Sequence, residues 1–501
     1  RERFTRLGRD QRVQTVELAA TRGRIFDRNG NALALSVPAQ TVSADPRLIT
    51  DPAGYAAQLA PIVGVDQTEL AVRLAEHEQA YVYVARQVDD ATAEQVKALG
   101  LPGINLEPES ARSYPDGNLA APLLGFVGTD NDGLGGIESA YESQLAGQPG
   151  EVVVELDPQG REIPDTQRHV HRSQPGSDLV LTLDQLLQYE TERVLSEEVD
   201  NAGAQGGMSI VVDVENGDIL SMATVLAGAN GEPAAPAPAS ENNRPVTDVY
   251  EPGSTNKVVT VSGALDSGAV TPDTWFEVPD SIEVGDYEFE DFQLHTTASW
   301  QVRDILRESS NVGTILIARA LGATRFSEYV NAFGFGRSTS SGLPGEADGL
   351  VVPLAEFNDT SMASQPIGNE LAVTALQMLE VYVTIANRGA TRPPRIVAAT
   401  VDPDGERVEE PLPVSDVVVS PTTAAAMTEM LEGVVADGTG TKAQIPGYPV
   451  AGKTGTARKP PYDEPPYRYV ASFAGFAPAD SPRLAAIVVL DEPSAGYTGG
   501  E

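Results

Sequence analysis

Three short motifs constrain the fold of this 501-residue chain more than any other feature. Lysine occurs only five times, yet two of the five lie in Ser254-Thr255-Asn256-Lys257 and Lys453-Thr454-Gly455-Thr456. A third string, Ser309-Ser310-Asn311, lies between those two. An S-x-x-K, an S-x-N and a K-T-G in this order, at spacings as long as a domain, predict one catalytic constellation built from distant segments.

The first motif has the chemistry of a serine nucleophile and its base. The pattern over residues 254–265 is helical and follows a proline and a glycine, so Ser254 is predicted at a helix start, where the dipole favours negative charge. Lys257 projects from the same helical face and is within reach of the serine hydroxyl. A desolvated lysine near a second cation, for which Lys453 is the candidate, is neutral enough to accept a proton.

The second motif supplies a proton shuttle and an amide. Ser309 and Asn311 fall on a short turn inside an otherwise helical stretch. Ser309 is suited to pass a proton between Lys257 and a leaving amine, and the Asn311 amide to orient that lysine and the substrate backbone. Read alone the motif is weak, because serine and asparagine populate turns for local reasons.

The third motif is typical of a carboxylate anchor on a strand. It ends a β-rich run, and Gly455 has no side chain to obstruct an extended peptide added to the edge of a sheet. Lys453, Thr454 and Thr456 offer the cation and hydroxyls that hold a carboxylate. The Thr456 N–H would complete an oxyanion hole with that of Ser254. Together the three motifs predict acylation of a serine by a peptide that ends in a free carboxylate.

Composition and charge exclude several other functions. The net charge of −38 opposes binding to nucleic acid or to anionic lipid surfaces. Cysteine is absent, which excludes disulfides, thiolate catalysis and Cys-bound metal. His169 and His171 have a spacing that suggests a metal, but no third ligand is near, so we predict a solvated linker there and neither metal nor cofactor. No apolar run approaches the roughly 20 residues of a membrane span.

Two domains are predicted on either side of the polar segment 161–176. Residues 1–172 have the pattern of short strands and helices with many turns, and carry no catalytic motif. Residues 173–501 contain a hairpin around Glu215-Asn216-Gly217, a mixed helical region and a closing set of antiparallel strands. The segments predicted as strands there are 179–183, 448–455, 469–476 and 484–490, and 186–199 is predicted as a helix. This order predicts an α/β (α+β) fold with helices covering a mostly antiparallel sheet.

At these residues the chain resembles the class B penicillin-binding proteins, which are peptidoglycan D,D-transpeptidases. The resemblance extends over nearly the whole length. It is carried by RGRIFDRNG (22–30), RSYPDGNLAAPLLGFVG (112–128), GLGGIESAYESQL (133–145), NNRPVTDVYEPGSTNK (242–257), SSN (309–311), AGKTGTA (451–457) and RYVASFAGFAP (468–478). The sequence around Tyr250 is most similar to the cell-division subgroup of high-GC Gram-positive bacteria, with the elongation subgroup as the alternative.

The resemblance implies a non-catalytic pedestal domain followed by a penicillin-binding transpeptidase domain. It implies that Ser254 attacks the penultimate carbonyl of a stem peptide ending in D-Ala-D-Ala, and that an amine of a neighbouring stem resolves the acyl-enzyme into a crosslink. Whether Lys257 acts as the base directly or through Ser309 stays open. The implied partners are peptidoglycan stem peptides, β-lactam antibiotics, a membrane glycosyltransferase and other division proteins.

The resemblance also carries expectations about the rest of the protein. Family members have one N-terminal transmembrane helix, with both domains outside the cytoplasm. We therefore expect this chain to be the soluble part of a membrane-anchored protein, and to lack the last helix that the family adds after residues 499–501. A further departure lies in SQPIGNELAVTALQ (364–377), where the family usually has another glycine near Glu370.

Two alternatives remain at this point. The same motifs serve a hydrolase, either a β-lactamase or a D,D-carboxypeptidase, that passes the acyl group to water. The pedestal-like first domain favours a transpeptidase that faces a polymer. The other alternative is a mainly scaffolding component of a division complex, in which residues 1–172 bind partners and the chemistry is secondary.

Overall fold

The computed structural model describes residues 13–155, 168–462, 465–496 and 498–500. Within these ranges the chain combines antiparallel sheets with covering helices, which confirms the predicted α/β (α+β) class. No helix of the described part has both the length and the hydropathy that crossing a bilayer would require.

An antiparallel sheet forms the centre of the second half of the chain. From one edge to the other, its described strands are Ala235–Pro236, Ile219–Leu226, Gly206–Asp213, Leu484–Asp491, Arg468–Ala477 and Ala451–Lys459. The hairpin and the three closing strands are confirmed, although the last edge strand begins at Ala451, later than predicted. The K-T-G therefore lies on an edge strand of the sheet, as the addition of a substrate strand requires.

Helices cover both faces of this central sheet. Gln185–Ala202 places Leu195 and Val199 against Val488 and Leu490 on one face. Ala375–Ala386 packs on the other face, and every one of its residues is buried, which explains its nearly continuous apolar sequence.

The other helices of the described residues are mostly short. The α-helices are Pro52–Val63, Gln67–Leu74, Asp90–Ala98, Ala121–Leu124, Gly136–Ala140, Glu142–Leu145, Arg244–Thr247, Lys257–Asp266, Val302–Arg307, Asn311–Leu321, Ala323–Ala332, Ser361–Ser364 and Pro421–Asp437. The 3₁₀ turns are Pro46–Leu48, Ala229–Gly231, Gly253–Asn256, Leu354–Glu356, Gln365–Ile367 and Thr441–Ala443.

A second sheet joins segments from both sides of residue 172. Its described strands are Arg407–Glu409, Val397–Val401, Asp178–Leu181, Ile25–Phe26, Ala32–Ala44, Val82–Val88 and Ile104–Ser113. Ile25–Phe26 pairs in parallel with Asp178–Leu181, and Ile25 and Leu123 belong to the same hydrophobic core as the central sheet. Part of the first 172 residues is thus integral to the second half, and the boundary between residues 172 and 173 stays a prediction.

The rest of the N-terminal region forms a small lobe with its own core. Val42, Leu59, Leu70, Val84 and Val96 are buried there between strands and short helices. The lobe carries no catalytic motif, and its mixed architecture fits the predicted pedestal domain.

The polar segment predicted as a linker differs from that prediction where it is described. Arg168–His171 is a strand that pairs with Gly150–Glu155, and this in turn pairs with Val13–Leu18. Cross-strand hydrogen bonds override the polar composition of the segment. Residues 161–167 and the His169 side chain lie outside the described residues.

Three short hairpins or ladders complete the described sheets. They are Trp275–Val278 with Ala298–Gln301, Ser281–Val284 with Tyr287–Glu290, and Leu350–Val351 with Leu371–Ala372. The second of these leads directly into Asp291, a buried residue that contacts the S-x-N motif.

A buried ion network holds the pedestal segments together. Glu138 is fully buried, and its two carboxylate oxygens accept hydrogen bonds from Arg22 Nε and Arg112 Nε, both at 2.7 Å. Arg22 also donates to the Glu138 carbonyl at 2.7 Å and pairs with Glu142. The three segments that resemble the family's pedestal are therefore tied by one carboxylate, since buried charges need complete pairing.

We expect Glu138→Ala to lower the free energy of unfolding by about 3–5 kcal/mol, because two arginines are left buried without their carboxylate. Urea unfolding followed by circular dichroism measures this loss. The control is Glu197→Ala, which removes an exposed pair with Arg193 and should change stability by less than about 0.5 kcal/mol. Equal effects of the two substitutions would contradict the role of the network.

Candidate active site

The predicted nucleophile lies in a tight turn that precedes a helix. Ser254 is half-buried in the 3₁₀ turn Gly253–Asn256, and the α-helix itself begins at Lys257. Hydrogen bonds to buried residues fix the turn: the Tyr382 hydroxyl donates to the Thr255 carbonyl at 3.1 Å, and the Asn256 amide donates to the Gln365 carbonyl at 2.8 Å. Ser254 is thus presented by a backbone that the core holds in place.

Lys257 is completely buried beside the S-x-N motif. Its ammonium donates to the Ser309 carbonyl, to the Asn311 Oδ1 at 2.8 Å and to the Ser309 Oγ at 3.4 Å. Burial lowers the pKa of Lys257 to about 7, against an opposing attraction from Asp291. The residue is therefore close to balanced between its charged and neutral forms at neutral pH, as a proton carrier needs to be.

The S-x-N motif forms the turn between two helices, as the sequence predicts. Ser309 has φ +60°, a left-handed conformation that non-glycine residues adopt at some cost. Ser310 is the N-cap of Asn311–Leu321 and accepts from the Gly313 N–H at 2.8 Å. The Asn311 Nδ2 donates to the Glu290 carbonyl, so that its Oδ1 faces Lys257.

Lys453 lies on the edge strand and is also fully buried. Its ammonium donates to Thr439 Oγ1 at 3.4 Å and to the carbonyl of Thr454 at 3.3 Å, and the hydroxyls of Thr439 and Thr454 are 3.0 Å apart. Burial, together with repulsion from Lys257, lowers the pKa of Lys453 well below its usual range. An arriving carboxylate favours the protonated form of this lysine, because an opposite charge nearby stabilises an ammonium.

Burial and mutual repulsion both act on the two lysines. The sequence predicts that desolvation, together with Lys453 as a second cation, makes Lys257 neutral. In the structure burial is the main cause of the lowered pKa of each lysine, and repulsion between the two ammonium groups adds to it. Two protonated lysines in one site without water repel each other, so the favoured state has only one of the two protonated.

Glycines bring the edge strand against the turn that carries Ser254. A Cβ at Gly455 would lie 2.4 Å from Ser472 Oγ and 2.8 Å from the Pro252 carbonyl. A Cβ at Gly253, whose φ is +55°, would lie 2.6 Å from the Thr456 carbonyl. Glycine at position 455 is thus required for packing of the strand on the turn, a reason that the sequence did not suggest. This contact places Ser254 beside Thr456, whose hydroxyl accepts from the Gly499 N–H at 3.0 Å.

Two carboxylates close to Ser254 were not predicted as part of the site. Glu251 precedes the nucleophile turn, and its Oε1 accepts from the Glu370 N–H at 3.0 Å. Burial raises the pKa of Glu251. Both residues line a cavity of 640 Å³, together with Tyr462 from the loop after the K-T-G strand.

Glu370 lies in a backbone conformation that glycine adopts more readily than other residues. Its φ is +56°, the left-handed conformation that glycine adopts freely. A non-glycine residue therefore occupies the backbone shape that a glycine would provide, and it adds an exposed carboxylate to the cavity.

Asp291 and Thr439 are the other residues that the sequence analysis missed. Asp291 contacts the S-x-N turn and Thr439 contacts Lys453 and Thr454. Neither stands in a motif, and nothing in the local pattern distinguishes them from other loop residues. Within the described residues no group of three or more His, Asp or Glu side chains is arranged to hold a metal ion.

The predicted site residues thus lie together in the structure. The S-x-x-K turn contacts the K-T-G strand through its glycines, and Lys257 bridges to the S-x-N turn. Such an arrangement can bring a hydroxyl, a titratable amine and a cationic carboxylate anchor to one point on a peptide.

Comparison with known families matches both halves of the chain. Residues 207–501 match the penicillin binding protein transpeptidase domain, and residues 17–181 match the penicillin-binding protein dimerisation domain. The first match covers more than half of the chain and contains all three motifs.

Individual relatives agree with this assignment. The chain is 34% identical to the penicillin-binding protein PbpB of Mycobacterium tuberculosis, over 97% of this chain and 76% of that protein. It is 36% identical to the peptidoglycan D,D-transpeptidase FtsI of Escherichia coli, over 98% of this chain and 82% of that protein. The structure of penicillin binding protein 3 from Mycobacterium tuberculosis, complexed with aztreonam, superposes with a TM-score of 0.74 and 31% identity, covering 97% of this chain and 92% of the other. The chain therefore belongs to the penicillin-binding protein transpeptidase family, with a dimerisation domain ahead of the transpeptidase domain.

Proposed function

We propose that this protein is a serine-type peptidoglycan D,D-transpeptidase that crosslinks stem peptides ending in D-Ala-D-Ala. The observation that carries the proposal is the burial of Lys257, one helical turn after Ser254, with hydrogen bonds to Ser309 and Asn311. A lysine whose pKa is about 7 can take the proton of a serine hydroxyl, which an ordinary exposed lysine cannot do at neutral pH.

The first half of the reaction forms an acyl-enzyme. Ser254 Oγ attacks the penultimate carbonyl of the donor stem and its proton passes to Lys257. The C–N bond to the terminal D-Ala then breaks, and that proton reaches the leaving amine through Ser309. The terminal carboxylate is held by Lys453 with the hydroxyls of Thr454 and Thr456.

The second half transfers the acyl group to an amine. The amine of a neighbouring stem attacks the ester carbonyl, its proton moves to the base, and the Ser254 hydroxyl is restored as the new amide forms. Thr456 and Ser254 N–H groups stabilise the oxyanion in both halves. Asn311 keeps Lys257 oriented throughout by accepting its hydrogen bond.

The names of relatives support this activity and suggest the cellular role. The relative from Escherichia coli is named a peptidoglycan D,D-transpeptidase, and the related protein from Mycobacterium tuberculosis was solved with the β-lactam aztreonam. We extend both to this chain, so that β-lactams acylate Ser254. We also propose a role in septal cell-wall synthesis, with a membrane glycosyltransferase and other division proteins as partners.

The proposed location is the outer side of the cell membrane. A single N-terminal membrane helix would hold the catalytic domain outside the cytoplasm, where peptidoglycan is assembled. The acidic surface of the chain suits a protein that stays dispersed in an aqueous space.

Intact-mass spectrometry after exposure to a penicillin tests the nucleophile. We expect one lasting adduct on the wild-type chain and none on Ser254→Ala, because only the serine hydroxyl can form the ester. Ser267→Ala, which removes a hydroxyl at the end of the same helix, is the control and should be acylated like the wild type.

The lifetime of that adduct separates the remaining functions. A lasting adduct supports a transpeptidase, whereas an adduct that forms and disappears rapidly would favour a β-lactamase or a carboxypeptidase. A folded wild-type chain without any adduct would contradict the proposed activity and favour a scaffold.

The acylation rate should depend on pH through Lys257. Because the neutral amine is the base and its pKa is about 7, the rate constant should fall about tenfold per pH unit below pH 7 and level off above it. Stopped-flow measurement with a chromogenic cephalosporin between pH 5 and 9 gives this profile. A rate that does not change between pH 5 and 8 would contradict the role of Lys257 as base.

A further inference from the structure

Asp291 is a buried carboxylate that the catalytic mechanism does not use. It follows the hairpin Ser281–Val284 with Tyr287–Glu290 and is 7% exposed. It comes from a different segment than the S-x-N motif, yet all of the described hydrogen bonds of its carboxylate, except one to His295, are made to that motif or to the first turn of the helix after it.

The carboxylate caps the helix that carries Asn311. One oxygen accepts from the backbone N–H groups of Asn311 and Val312, the latter at 3.0 Å. The other accepts from the Ser310 hydroxyl at 2.6 Å, and that hydroxyl in turn accepts from the Gly313 N–H. The first N–H groups of a helix have no partner within it, and a negative charge is favourable there. The helix start is thus fixed by its own N-cap residue Ser310 and, in addition, by Asp291 from another segment.

The same contacts fix the orientation of the groups that face Lys257. The Ser309 carbonyl and the Asn311 Oδ1 accept from Lys257, and the two residues flank Ser310. Ser309 has a strained φ of +60°, so the turn requires support from its surroundings to keep this shape. Asp291 provides that support through its hydrogen bonds to Ser310 and Asn311.

Resting on the proposed function, we propose that Asp291 is a positioning residue of the active site, which holds the S-x-N turn against Lys257 and favours the charged form of that lysine through its own negative charge. The attraction between the Asp291 carboxylate and the Lys257 ammonium opposes the effect of burial. Without Asp291, Lys257 would become neutral at a lower pH. The Ser309 carbonyl and the Asn311 Oδ1, which accept hydrogen bonds from Lys257, would no longer be held in position.

Other charged groups near these residues define the electrostatic setting. Lys257 faces Asp291 and Lys453. Asp291 also accepts from His295 Nε2 at 3.0 Å, and this hydrogen bond raises the pKa of His295, with a smaller contribution from Asp280. A protonated His295 therefore offsets part of the negative charge that Lys257 senses.

The test is the pH profile of acylation for two variants that change this charge in opposite senses. In Asp291→Asn the rate at high pH should fall about ten- to a hundredfold, since a displaced Asn311 misplaces the base. The acid limb of its pH profile, meaning the range over which the rate rises with pH, should also move to lower pH by about one unit, because the ammonium of Lys257 loses an opposite charge. In His295→Gln the acid limb should move to higher pH, because Asp291 is no longer offset.

Two further variants separate charge from position. Asp291→Glu restores the charge and should return the acid limb toward that of the wild type, even if the rate stays low. Glu283→Gln removes an exposed carboxylate from the same hairpin and should leave both rate and limb unchanged. Thermal unfolding of each variant shows whether it is folded, and His295→Gln keeps the test open if Asp291→Asn is not.

The outcomes distinguish this inference from the proposed function. If the wild-type chain is not acylated, the proposed function fails, and this inference fails with it because it rests on that function. If the wild type is acylated but Asp291→Asn keeps its rate and limb, Asp291 is not a positioning residue. If the rate of Asp291→Asn falls while neither Asp291→Asn nor His295→Gln shifts the acid limb of the pH profile, Asp291 has a structural role only, and the inference is wrong.

Discussion

The burial of the Lys257 ammonium is the interaction on which the rest of the active site depends. Removing a cation from water is costly unless oxygen acceptors replace its hydration. Here the carbonyl and hydroxyl of Ser309 and the amide oxygen of Asn311 take that role. Because those acceptors lie on a strained turn, the turn must be held by further contacts, and Asp291 supplies them. The burial of one charged group thus constrains how several segments of the chain pack around it.

The same logic applies to the side of the site formed by the edge strand. Gly455 and Gly253 allow the strand and the nucleophile turn to approach until a single added methyl group would clash. This close approach excludes water from Lys257 and Lys453, both of which are fully buried. The buried helix Ala375–Ala386 stabilises this close approach from another part of the domain, because its Tyr382 hydroxyl donates a hydrogen bond to the Thr255 carbonyl in the turn. Catalytic chemistry and core packing are therefore not separable in this domain.

Much of the fold could be predicted because its signals are local. The hairpin around Glu215-Asn216-Gly217 consists of two apolar runs joined by turn residues, the closing strands are short apolar runs, and the helix after residue 184 has an Asp N-cap and a glycine at its end. The strand Arg168–His171 is predicted as a linker because its polar composition gives no local strand signal, and pairing with another segment, Gly150–Glu155, makes it a strand. Asp291 was missed for the same reason, because a lone aspartate has no pattern until a distant turn is packed against it.

The sequence by itself determined which residues are the candidates for the chemistry, because the three motifs place a hydroxyl, an amide and two rare lysines at fixed local spacings. It also determined the class of the sheet and its covering helices, since these follow from periodicity and turn residues. Only the tertiary structure decided that both lysines are completely buried, so that the pKa of Lys257 is lowered to about 7 and that of Lys453 lies well below its usual range. The physical reason is that desolvation and charge coupling depend on which distant segments exclude water around a group, and no local pattern encodes that.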